Sequence, residues 1–135
     1  GKILVVTSFI LLTVFNLIKN PLRYGANHQL KRAVEVAERI KNESGGNRFN
    51  LAVIAERNYE DGYQYILEKD GVEVVDIDAQ IPDTITDQLF AVCEMPEEKC
   101  DPTHNPKAEV ANFGWSKIEG KWSVTGVTVY KLVHY

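Results

Sequence analysis

Residues 49–77 read FNLAVIAERNYEDGYQYILEKDGVEVVDI, and this stretch decides the fold class. Phe49–Ala55 is almost continuously apolar, the pattern of a strand covered on both faces. Tyr59, Tyr63, Ile66 and Leu67 then recur at helical spacing. Asn58 is placed to cap that helix, with Asp61 three positions later. Asp70 and Gly71 stop it, and Val72–Ile77 reads as a second short strand. Strand, helix and strand within about thirty residues is the length of a right-handed βαβ crossover, so parallel pairing is expected.

Upstream, residues 27–43 predict an amphipathic helix. Leu30, Ala33, Val34, Ala37 and Ile40 form its apolar stripe, and Ser44, Gly45 and Gly46 end it. Downstream, Gln88–Glu94 reads as a third strand. Met95–Asn105 is a polar loop, and Asn105 with Pro106 opens a short helix to about residue 112. From Trp115 onward the pattern is a hairpin: Trp115–Glu119, a turn at Glu119 and Gly120, then Val127–Val133 with alternating polarity. The expected architecture is an open, Rossmann-like α/β sandwich: a small, mainly parallel sheet with helices on both faces and a C-terminal antiparallel hairpin.

A different kind of segment precedes this domain. Ile3–Ile18 (ILVVTSFILLTVFNLI) carries no charge and is flanked by Lys2 and Lys19. Its length approaches the roughly 20 apolar residues of a membrane helix, and the lysines suit an interfacial position. Residues 1–20 are therefore read as a membrane-type helix in contact with lipid around residues 3–18, and residues 21–135 as a soluble α/β domain. A signal segment and a buried soluble element are the other readings of the same run. The remainder is ordinary for a globular chain, at 44% hydrophobic and 25% charged over 135 residues. A net charge of −4 gives no footprint for nucleic acid.

Few residues carry recognisable chemistry. Cys93 and Cys100, the only cysteines, flank CEMPEEKC. A disulfide in an oxidising compartment, two free thiols, or a metal site with Asp101 and His104 all remain open. Acids fall just past strand ends, where open α/β sheets bind ligands. Glu56, Arg57, Tyr59, Asp76 and Glu94 are accordingly the candidate ligand-binding residues, against the plainer reading that such acids are solvated loop residues. No nucleophile or base stands beside them in sequence, so no catalytic residue is assigned. No metal or cofactor is assigned either. The stretch AERNYEDG after the first strand lacks the glycines of a phosphate-binding loop. Trp115, Trp122 and Tyr130 suit either a carbohydrate platform or hairpin packing.

The segments FNLAVIAERNYEDGYQYIL, QLFAVCEMPEEKCDP, ANFGWSKIEGKW and GVTVYKLVHY together resemble the soluble C-terminal domain of bacterial GT-C polytopic membrane glycosyltransferases, the dolichyl-phosphate-mannose protein mannosyltransferase-like family. The resemblance covers nearly the whole chain but includes no catalytic motif of that family. It implies a parent that moves a sugar from a polyprenyl-phosphate donor. This chain would be a non-catalytic extracytoplasmic accessory domain at the cell membrane, serving acceptor recognition or stability. Its partners would be the remainder of the parent protein and a glycan or protein acceptor. The rival expectations are a single-pass anchored domain that binds a small ligand or protein, and a small soluble enzyme that uses the strand-end acids.

Overall fold

In the computed structural model, residues 1–20, 25, 28–56 and 61–135 are described. They form α1 (Lys2–Ile18), α2 (Gln29–Glu43), β1 (Asn50–Ile54), α3 (Asp61–Lys69), β2 (Gln88–Cys93), α4 (Ala108–Phe113), β3 (Ser116–Val124) and β4 (Val127–His134). The sheet order is β1-β2-β4-β3. β1 and β2 run parallel, while β4 is antiparallel to both β2 and β3. The sheet is therefore mixed rather than mainly parallel. The hairpin docks through β4 onto β2 and takes the edge that a further strand–helix unit would have filled.

Alternation along the strands feeds two cores. Leu51, Val53, Phe90, Val92 and Val129 join α2 and α3 on one face. Ala52, Ile54, Leu89, Ala91, Tyr130 and Leu132 join Val110 and Phe113 of α4 on the other. Helices thus cover both faces, and all six residues of β2 are buried. This is why QLFAVC shows no polar alternation.

The expected strand at Val72–Ile77 contracts to one parallel bridge between Phe49 and Val74. Asn50 supplies the reason. Its fully buried amide donates to the carbonyls of Val75 (2.7 Å) and Thr84 (2.8 Å) and accepts from the amide (2.8 Å) and hydroxyl (2.9 Å) of Thr86. The ladder gives way to this side-chain network one residue past the bridge, and every hydrogen-bonding position of the amide is satisfied.

Two further expectations shift. The hairpin turns at Thr125 and Gly126, both at positive φ (45° and 81°), as a two-residue turn that matches strand twist requires. The Thr125 hydroxyl donates to Glu35 on α2. Glu119 and Gly120 form a bulge instead, because Ile118 and Gly120 face consecutive residues, Leu132 and Lys131. A Cβ on Gly120 would overlap the Trp122 ring, so the missing side chain is what lets the indole lie across the bulge. On α2 the buried stripe is Val36, Ala37 and Ile40, while Leu30 is 72% exposed. The cap expected at Asn58 lies outside the described residues.

α1 is built differently from everything else. It has 17 residues and buries none of them. At about 1.5 Å per residue it spans about 25 Å, against about 30 Å of hydrocarbon. Among the described residues, no helix is long and apolar enough to cross a membrane.

Candidate functional site

Glu94 is the first residue past β2, and its amide donates to the Ile54 carbonyl at 3.0 Å. This extends the parallel ladder by one step and sets the carboxylate at the C-terminal end of the β1–β2 pair, where sheets of this kind receive ligands. Tyr63 comes from the buried face of α3, and its hydroxyl donates to Glu94 Oε1 at 2.5 Å. Burial is the main force that raises the Tyr63 pKa, followed by the hydrogen bond to Glu94 and the charge of that carboxylate. The Arg32 guanidinium pulls weakly the other way. Tyr63 is thereby held as a neutral donor.

Around this pair, α2 and α3 leave a cleft of about 590 Å³ lined by Leu30, Arg32, Ala33, Tyr63, Ile66 and Glu94, among others. Arg32 Nε is buried with no hydrogen-bond partner among the described residues. An apolar groove with a few convergent polar groups is the usual form of a recognition site. Its described walls hold one carboxylate, two phenols (Tyr63 and Tyr65), one guanidinium and the Gln29 amide, with no serine, threonine, cysteine or histidine. This arrangement can bind and orient a partner but contains no activated nucleophile.

The other candidate residues lie elsewhere. Asp76 belongs to a second cleft, of about 450 Å³, lined by Gln64, Glu68, Asp76 and Glu109. There the Gln64 side-chain amide donates to Glu68 (2.8 Å) and Asp76 (3.2 Å). Glu56 is exposed past the end of β1. Arg57 and Tyr59 lie outside the described residues. Glu94 alone of the strand-end acids thus enters the α2–α3 cleft. Its two neighbours there escaped the sequence reading for different reasons. Tyr63 falls on an apolar stripe and looks like core, and Arg32 sits among the ordinary surface charges of a helix.

Cys93 and Cys100 stand at disulfide distance, with Cα atoms 6.1 Å apart. The bridge closes the loop after β2 and removes both sulfurs as metal ligands. Among the described residues, no group of three or more His, Cys, Asp or Glu side chains is placed to hold a metal ion. Asp101 and His104 pair with each other at 3.3 Å. Burial pushes the Asp101 pKa up, but hydrogen bonds from the backbone and side chains of His104 and Thr103 together bring it below its ordinary value. The three aromatics singled out in the sequence also separate. Trp122 packs toward the α2–α3 core, Tyr130 is buried on the α4 face, and Trp115 is exposed.

No family model matches this chain, and neither a curated protein nor a solved structure is significantly similar to it.

Proposed function

We propose that this chain is a non-catalytic recognition domain held at the extracytoplasmic side of a cell membrane, an accessory part of a membrane glycosyltransferase that uses a polyprenyl-phosphate sugar donor. The observation that carries the reading is α1. Its large apolar side chains, from Ile3 at 84% to Ile18 at 57%, are exposed along the whole helix, far more apolar surface than a monomer keeps in water. A helix slightly shorter than the hydrocarbon is accommodated by local thinning of the bilayer or by association with other helices. The Cys93–Cys100 pair suits an oxidising compartment. The α2–α3 cleft, with exposed Leu30 and Tyr65 beside the Tyr63–Glu94 pair, serves as the contact to the rest of the parent protein.

Flotation with phospholipid vesicles tests the lipid contact. The chain is expected to rise with the vesicles, and Phe9→Asp combined with Leu12→Asp to remain behind, because each charge in the hydrocarbon costs about 2.5–3.5 kcal/mol. A wild-type chain that stays monomeric and does not float overturns the membrane reading. The glycosyltransferase attribution fails separately if the coding frame upstream of Gly1 lacks further apolar segments. The Tyr63–Glu94 cleft also supports a second reading, a single-pass anchored domain with α1 as its sole anchor and a small ligand in the cleft.

A further inference from the structure

Trp115 sits at the end of the sheet opposite Glu94. β4 runs antiparallel to β2, with Gln88 facing Val133 and Cys93 facing Thr128, so the Ser116–His134 pair closes the far end. The backbone forces the indole outward. Phe113 and Ser116 are buried at 2% and 6% exposure, Gly114 turns between them at a φ of 86°, and Trp115 is left 82% exposed. This end of the sheet is firmly held. The His134 ring stacks on Phe113 at 4.2 Å and its Nε2 meets the Thr86 carbonyl at 3.1 Å.

Trp115 and the exposed Tyr135 flank a cleft of about 430 Å³ whose polar wall is Thr103, His104, Asn105 and Ser116. Ser116 Oγ is buried without a hydrogen-bond partner among the described residues. His104 Nδ1 is engaged by Asp101 (3.3 Å) and Thr103 (3.0 Å). Where Nδ1 is used by these two contacts, Nε2 is the ring nitrogen left for a further hydrogen bond. Among the described residues, no lysine, arginine, aspartate or glutamate side chain lines the cleft, which disfavours an anionic or cationic ligand. Exposed aromatic faces beside neutral donors and acceptors match the two surfaces of a sugar ring, apolar C–H on its faces and hydroxyls around its rim.

We propose that the Trp115–Tyr135 cleft binds a neutral oligosaccharide. The site rests on the accessory-domain reading above and names the class of acceptor it would recognise. The test uses the full chain in a sugar-free zwitterionic detergent, with mannotriose and cellotriose as probes. Trp122→Phe leaves Trp115 as the sole tryptophan reporter. A trisaccharide at millimolar concentration is expected to protect Trp115 from acrylamide quenching, and Tyr135→Ala or His104→Ala to weaken that binding by up to about tenfold. If neither sugar protects Trp115, or if vesicles of zwitterionic lipid protect it and the sugars do not, the proposal is overturned. Flotation of His104→Ala keeps the two readings apart: weakened sugar protection of Trp115 with unchanged flotation concerns this cleft alone.

Discussion

All six residues of β2 (QLFAVC) are buried, whereas α1, with a longer and more apolar sequence (KILVVTSFILLTVFNLI), buries none. Hydrophobicity states what a segment requires, and the neighbouring chain decides whether it is met. β2 has a strand on each edge and a helix layer on each face. Among the described residues, α1 has nothing comparable, so its apolar surface stays exposed. The sharpest break of this comparison exchanges equivalent side chains. Phe90 is fully buried and meets Phe49 edge-on at 5.0 Å, so Phe90→Ala should cost about 3–5 kcal/mol. Phe9→Ala should change unfolding of the α/β domain by less than about 0.5 kcal/mol. Chemical denaturation followed by near-UV circular dichroism measures both. Equal losses would mean that α1 belongs to the same core as β2.

The end of β2 offers a second, smaller test. Cys93 is the last residue of the strand, and its bridge to Cys100 closes a loop of sequence separation 7. Loop-closure entropy puts such a bridge at about 2–3 kcal/mol. Dithiothreitol should therefore lower the melting temperature of the sheet domain and leave vesicle flotation through α1 unchanged. A melting temperature indifferent to reductant would show that the sheet needs no tether at this edge.

The same contrast explains what the sequence made legible. β1 and β2 stood out because strands buried on both faces are continuous apolar runs, and α2 because its period is long. Strand order did not stand out: nothing local in VTVYKLVH says that β4 will lie between β2 and β3. The turn was misplaced because Glu119 and Gly120 look like a tight turn, while the true pair, Thr125 and Gly126, is not the commonest turn dipeptide. The short strand around Val74 failed because Asn50, ordinary in sequence, takes over the hydrogen bonds that a longer ladder would have used. In the cleft, Glu94 was legible from its place at a strand end. Tyr63 was not, since a stripe position hides a phenol that also donates a hydrogen bond. Asp76 was grouped with Glu94 by the same strand-end logic, yet it lies in a separate cleft against Gln64.

The smallest effect probes the first residue beyond β2 and marks where burial ends and recognition begins. Tyr63 is buried and donates to Glu94, and both conditions raise its pKa. Below about pH 10, the ordinary tyrosine value, the phenol is protonated in the folded and unfolded chains alike. Above it the unfolded chain loses the proton while the folded chain keeps it. The unfolded state then binds fewer protons, and stability falls as pH rises. Lys121, paired with Glu97 and also raised, adds a slope of the same sign in the same window, so the decisive quantity is the difference made by one substitution. Tyr63→Phe should cost about 1 kcal/mol at neutral pH through the lost hydrogen bond and should flatten the alkaline slope relative to wild type. Denaturant midpoints measured from pH 8 to pH 11 give both numbers. An unchanged slope would mean that Tyr63 titrates as it does in water, which would place the α2–α3 cleft with the solvated surface instead of with the buried end of β2.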